Sequence, residues 1–338
     1  MRKIPVEEAV GHILCHDITR IIPYKEKSVG FSKGHIIQAE DIAELRKLGK
    51  DHIYVWEASP NMLHEDEAAK ILCRLCQGPY IRANKPQEGK IELTAEIDGL
   101  FKIERKLLAA LNGLGELVIA TRHGDFPVKA GEILAGMRVI PLIIEAEKMR
   151  KAEIIAGPIP LLQLLPLKAK KTAIIATGNE VHYKRIKDAF TPIIEAKLAE
   201  YGCPVISAET SPDDSVFTAD LIVQALNKGA DLVICCGGMS VDPDDLTPAA
   251  IRQSGSQVVL YGAPVLPGAM IMLAYHRCIP VIGLPGCAMY HKRTVFDLLL
   301  PRLLADDEIS AIELTALGEG GLCCNCQPCH FPNCGFGK

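Results

Sequence analysis

The hydrophobic residues of the chain fall into two rhythms. After Lys171 they come as short unbroken runs: TAIIAT, PVISAE, DLVICC, QVVLYG, MIMLAYH and PVIGL. Among these lie DAFTPIIEAKLAEYG, VFTADLIVQALNKG and TPAAIRQSG, with apolar positions at helical spacing, and a last helix is expected over 288–304. Strands that are apolar throughout, separated by amphipathic helices, predict an α/β fold with a doubly wound, mainly parallel sheet and helices on both faces. Upstream the pattern alternates. KIELTAEI and ELVIATRH, with turn pairs such as Asp98-Gly99 and Asn112-Gly113, predict a smaller β-rich region over 61–150, with one helix around 105–111. Residues 62–78 read as a helix with Leu63, Ala68, Ile71, Leu72 and Leu75 on one face. In the first 60 residues, Ile42, Leu45 and Leu48 mark a short helix capped by Gly49, followed by a strand at 52–56 that ends in Trp56, read as a core residue. A proline-containing break follows at 58–61, and 145–170 reads as a proline-bearing connector.

Composition narrows the picture. Of 338 residues, 49% are apolar and 23% charged, which suits a core-forming globular chain. A net charge of -4 argues against a nucleic-acid binder. The longest apolar run, 154–167, is too short for a bilayer and contains Pro158, Pro160 and Pro166, so no membrane span is expected. MRKIPVEEAV lacks the apolar stretch of an export signal, and a cytoplasmic location is expected. In that setting 13 cysteines read as reduced thiols or metal ligands rather than disulfides. Cys15, Cys203, Cys235, Cys236 and Cys278 lie in or beside apolar segments and read as small hydrophobes, as do Cys73 and Cys76 on their helix.

Ligands of doubly wound sheets bind outside the carboxyl ends of the strands. The loops there are Thr177-Gly178-Asn179-Glu180, Thr210-Ser211-Pro212-Asp213-Asp214, the stretch from Gly237 to Pro248, and Leu284-Pro285-Gly286-Cys287. Gly237 and Gly238 allow backbone N–H groups to approach a phosphate, and Thr247-Pro248 reads as a helix N-cap followed by a first-turn proline. The same stretch holds several aspartates. Carboxylates beside a phosphate-seeking backbone make chemical sense with a divalent cation between them; taken singly, an aspartate near a helix start is often only a cap.

TGNEV, the SPDD loop, GGMSVDPDDLTP and VIGLPG, in this order, resemble the molybdopterin-binding domain. That domain is shared by bacterial molybdenum insertase, the C-terminal half of gephyrin and the molybdopterin adenylyltransferases. The likeness covers residues 172 to about 305, within an α/β domain expected over 171–305. FSKGHIIQAEDIAELRKLGKDHIYVW is similar to an insertase segment, which makes 1–60 an insertase-like part. The resemblance implies catalytic acids at Glu180, Asp213 and Asp245. It implies a binding surface from Thr177, Gly178, Gly237, Gly238, Ser240, Asp242, Thr247, Pro285 and Gly286. The implied activity is Mg2+-dependent insertion of molybdate into adenylylated molybdopterin with release of AMP, in a homodimer or homotrimer. The chain departs from the insertase pattern in several places. Leu266 and Ala269 stand where insertases carry lysines, Asn179 replaces an aspartate, Cys287 and Ala288 end the usual PGNP loop, and no SAMDGY motif is found.

The stretch 318–338 adds a cysteine-rich tail, in which Cys323, Cys326, Cys329 and Cys334 have the close spacing of an iron–sulfur or zinc ligand set. Three functions are compatible with the whole: the molybdenum transferase, a non-catalytic molybdopterin carrier or sensor serving a molybdoenzyme, and a metal-dependent nucleotide pyrophosphatase. The last is suggested by the likeness of Asp244-Asp245-Leu246-Thr247 to the competence-damage protein family.

Overall fold

A computed structural model describes residues 2–22, 26–55 and 61–338. Trp56 and the break at 58–60 lie outside the described residues. The chain forms two compact units.

The first unit comprises residues up to Glu96 together with Ile103–Arg122 and Ala130–Leu164. Its centre is an antiparallel sheet of Ile81–Ala83, Lys90–Ala95, Ile133–Val139 and Leu117–Thr121, in that spatial order. Alternation does the sorting: Ile91, Leu93 and Ala95 are buried along one strand while the residues between them are not. The helix Glu65–Cys76 covers this sheet with Ala68, Leu72 and Leu75. Its cap is the buried His64, whose Nδ1 accepts the Asp66 N–H at 3.1 Å; Nε2 therefore carries the proton and donates to the Cys15 carbonyl at 2.8 Å. A small N-terminal core of Ile4, Leu14, Leu45 and Ile53 lies beneath the helix Asp41–Lys47, and Gly49 follows that helix at φ +75°. The stretch expected as a connector instead holds the helix Ala146–Ala156 and the strand Leu162–Pro166. Met149, Ala152 and Ala156 bury one face of that helix, and its cap Gly157 sits at φ +62°. The prolines begin only after this helix has ended.

The second unit comprises Ile97–Lys102, His123–Lys129 and Leu165–Lys338. From residue 172 on, its strands and α-helices in chain order are β1 Thr172–Thr177, α1 Asn179–His182, α2 Phe190–Ala199, β2 Val205–Ser211, α3 Ser215–Asn227, β3 Leu232–Cys236, α4 Thr247–Gln253, β4 Gln257–Tyr261, β5 Met272–His276, β6 Ile279–Leu284, α5 Val295–Leu304 and α6 Ala311–Ala316. The sheet order is β2-β1-β3-β6-β5-β4; β2, β1, β3 and β6 are mutually parallel, and β5 and β4 complete the sheet by antiparallel pairing. The apolar runs are explained by burial on both faces. Ile174, Ile234 and Ile282 align in one core, and Ala173, Val233 and Val281 in the other. The last helix starts at Val295 and not near 288, because Thr294 and Asp297 form a capping box there, while Gly286–Met289 makes a short 3-10 turn. Helix α6, not anticipated from the sequence, starts in the same way from Ser310 and Glu313. Among the described residues no helix is long and apolar enough to cross a membrane.

Candidate functional site

Strand order alone locates the site. β1 has β2 on one side and β3 on the other, so the chain leaves the ends of β1 and β3 in opposite directions and opens a crevice between them. The hairpin between β4 and β5 contributes as well. β4 runs in the direction of the parallel strands, so its connection to β5 emerges at the same rim. A cleft of about 750 Å³ lies at this rim.

The turn after β3 forms its floor. Gly237 and Gly238 adopt φ +94° and +57°; a Cβ on the first would come within 2.8 Å of the Thr177 carbonyl, and on the second within 2.7 Å of Thr247 Oγ1. Both positions therefore require glycine. Thr247 holds the turn closed: its N–H donates to the Gly238 carbonyl at 3.1 Å and its hydroxyl to the Gly237 carbonyl at 2.8 Å. Thr177 Oγ1 lies 3.1 Å from Thr247 Oγ1, and Tyr261 Oη donates to the Met239 carbonyl at 2.6 Å. Thr247 was expected as an N-cap, and the structure corrects this. Leu246 occupies the cap position without a side-chain hydrogen bond, Thr247 is already helical, and its hydroxyl is committed to the glycine turn.

Nor are all the glycine-turn amides free for a ligand. The Gly237 N–H donates to the Leu284 carbonyl at 3.0 Å, and the Ser240 N–H to Asp245 Oδ2 at 2.6 Å. The Gly238 N–H has no acceptor among the described residues.

The two aspartates of the SPDD loop divide the work. Asp214 caps α3, accepting from Val216 N at 2.8 Å and Phe217 N at 3.0 Å. Asp213 clasps the loop after β1: its Oδ2 accepts from Asn179 N at 3.0 Å, and Asn179 Oδ1 accepts from Asp213 N at 3.3 Å. Asn179 is therefore a structural tie. The Glu180 carboxylate folds back over Gly178, where an added Cβ would meet Oε1 at 2.6 Å.

The cleft is lined by Thr177, Gly178, Glu180, Asp213, Gly237, Gly238, Ser240, Asp242, Asp245, Pro285 and Gly286. Thus every binding or catalytic residue expected in the α/β domain borders it except the buried Thr247, which acts on it from behind. Asp244 joins them, making five acids, and no lysine, arginine or histidine lines the cleft among the described residues. An apolar wall was not anticipated: Leu266, Pro267, Ala269, Met270, Met289 and Tyr290 form it, with Cys287 among the lining residues, while Phe190 lies beside Gly237 at the floor. Burial raises the Cys287 thiol above its ordinary range. A hint of this wall was present in the sequence, since VLPGAM joins two apolar strands, but its position depends on their antiparallel pairing.

The tail behaves otherwise than expected. Among the described residues no three His, Cys, Asp or Glu side chains stand close enough to hold a metal ion. Cys323, Cys326, Cys329 and Cys334 are thus not assembled into a ligand set. Cys323 and Cys334 pack against the sheet's core cluster while Cys326 is exposed, so the thiols point to different surroundings.

Sheet, switch-point cleft and acidic rim define a doubly wound α/β unit. Residues 173–305 match the family described as a probable molybdopterin binding domain. Residues 3–57 match a domain of unknown function. The molybdopterin molybdenumtransferase of Staphylococcus aureus strain Mu50 is 24% identical over 298 residues, covering 84% of this chain and 66% of its own length. That of Staphylococcus epidermidis strain RP62A is 25% identical over 303 residues, with the same coverage of 84% and 66%. The chain thus spans 66% of the length of these curated relatives. Among solved structures, a molybdopterin biosynthesis enzyme MoaB from Thermus thermophilus is 19% identical, with 42% of this chain and 98% of that one covered and a TM-score of 0.34. A molybdopterin biosynthesis MoeA protein from Pyrococcus horikoshii is 16% identical, with 91% and 76% covered and a TM-score of 0.33.

Proposed function

We propose that the cleft binds adenylylated molybdopterin and, with Mg2+, inserts molybdate and releases AMP. The observation that carries this reading is the rim itself: a glycine turn facing five carboxylates, with no basic side chain among the described lining residues. Such a surface repels a bare pyrophosphate and accepts one that arrives with a divalent cation. The donor set fits that role. Asp213 and Asp245 each spend one carboxylate oxygen on a backbone amide and keep the other, and Mg2+ needs only one or two carboxylates beside substrate oxygens. Glu180, Asp213 and Asp245 do not stand close enough to form a three-ligand set, so one or two of them would hold the cation together with substrate oxygens, and the cation would neutralise the pyrophosphate and the incoming oxyanion. The Gly238 amide offers a hydrogen bond to a phosphate oxygen, and the apolar wall shields one side of the ligand from water. The family match and the names of the relatives support the same ligand class.

Replacement Asp245→Asn is expected to lower molybdate-dependent AMP release by about tenfold or more, since a charge contact made at the reacting pyrophosphate is lost. Chelation of Mg2+ is expected to abolish release. Full turnover in Asp245→Asn would remove the site assignment. A homodimer or homotrimer belongs to the same proposal and is checked by light scattering.

One observation favours a second reading, a molybdopterin carrier serving a molybdoenzyme. Leu266 and Ala269 leave the wall without the lysines found in insertases. Purified protein that retains pterin yet releases no AMP with Mg2+ and molybdate would select the carrier.

A further inference from the structure

We infer that the cysteine-rich tail is a positioning element of the cleft, holding the apolar wall at 266–270 in place. Leu266 is gripped on both sides by the tail: its N–H donates to the Gly321 carbonyl at 2.8 Å, and its carbonyl accepts from Cys323 N at 2.8 Å. This forms a parallel bridge between Leu266 and Leu322, and the residues that follow Leu266 line the cleft. The far side of the same wall is tied by Val295 N, which donates to the Pro267 carbonyl at 3.1 Å.

From 323 onward the tail has no helix or strand, so anchors decide where it lies. Phe336 is 3% exposed within the sheet's core cluster. Phe331 lies 6.2 Å from Phe336 and 6.1 Å from Phe126. Cys323 and Cys334 pack against the same cluster, and the Gly337 N–H closes back onto the Gly320 carbonyl at 2.9 Å. A second grip reaches the segment after the cleft's 3-10 turn, where the Arg293 guanidinium stands 5.1 Å over the Phe331 ring. Arg293 follows shortly after Met289 and Tyr290, which also line the wall. The tail therefore hydrogen-bonds the 266–270 wall directly and meets the other segment of that wall, at Met289 and Tyr290, through nearby Arg293.

The docking stands apart from the functional reading, and only its effect on ligand affinity rests on that reading. Hydrogen exchange of the full chain tests the docking. In Phe336→Ala the amides at 266–271 are expected to exchange about tenfold faster, while those of β1 and β3 stay as they were. Phe336→Leu is expected to restore protection. Ile222→Ala, a cavity in the opposite core, serves as a control that lowers global stability without loosening 266–271. Should Phe336→Ala fail to fold, Phe331→Leu provides the milder release. Unchanged exchange at 266–271, in a variant whose amides at 322–323 have become faster, would overturn the inference. With adenylylated molybdopterin as probe, Phe336→Ala is expected to weaken binding by about tenfold and leave AMP release at saturation unchanged. If the wild-type protein does not bind that probe, the functional reading fails, and the exchange result still decides the role of the tail.

Discussion

Gly238 combines a left-handed backbone with a hydroxyl oxygen 2.7 Å from where a Cβ would stand. Gly238→Ala is therefore expected to cost about 1–2 kcal/mol in backbone strain alone, to lower the urea midpoint, and to displace Thr247 enough to weaken ligand binding. A midpoint and affinity equal to wild type would mean that the turn tolerates a side chain. Thiol reactivity gives a second residue-level prediction. Burial pushes the Cys235 thiol up to about 12 and the Cys236 thiol well above its ordinary value. At pH 8 both should resist iodoacetamide in the native state, whereas the exposed Cys278, Cys324 and Cys326 are alkylated, as peptide mass spectrometry can read. The sequence indicated Cys235 and Cys236 correctly because they continue an apolar strand. It misjudged Cys278, which also lies beside apolar residues but occupies the two-residue turn between β5 and β6. Asp213 and Asp214 show the same limit: adjacent identical residues, one a helix cap and one a clasp between loops, distinguished only by where each side chain points.

Element boundaries are missed where apolar content alone is followed, and the capping signal at Thr247 places the start of α4 one residue late. The residues from 288 onward look helical by hydrophobicity, yet Thr294 and Asp297 set the start of α5. Thr294→Ala should cost about 1 kcal/mol, the usual worth of an N-cap, and chemical denaturation would measure it. The same helix is held to α2 by a buried pair, Lys197 Nζ to Asp297 Oδ1 at 2.5 Å, with Nζ also donating to the Lys292 carbonyl at 3.0 Å. Lys197→Met is expected to destabilise by about 3 kcal/mol, because the buried Asp297 carboxylate loses one of its cationic partners. A loss under half that size would show that Arg293, 2.8 Å from the same oxygen, takes over the charge. The helix Ala146–Ala156 was overlooked for a different reason: its apolar face is narrow, and nearby prolines suggested irregular chain.

For the α/β unit as a whole, strand order was not readable, yet its main consequence was. Ligand loops follow the strand ends whatever the order of the parallel strands, so the acidic half of the cleft followed from the run of strands alone. The apolar half required knowing that β4 and β5 form a hairpin, which short apolar runs do not reveal. Stability against acid is also set in this unit. Burial would raise Glu313, but the Ser310 backbone and hydroxyl and the Arg302 guanidinium hold it down at about 2. A carboxyl depressed in the folded state adds stability that is present above its ordinary value near 4.5 and disappears as pH falls toward about 2. Glu313→Gln should therefore flatten the fall in the urea midpoint over that interval and lower the midpoint at neutral pH; an unaltered acid slope would assign the loss to other carboxylates.

Because β5 runs against its neighbours, Cys278 turns at the end of the sheet opposite the rim where the hairpin from β4 arrives. That geography separates handling from recognition. A dye or surface tether attached at Cys278, with Cys287, Cys323, Cys324, Cys326, Cys329 and Cys334 replaced by serine, would hold the unit by the end of the sheet away from the cleft.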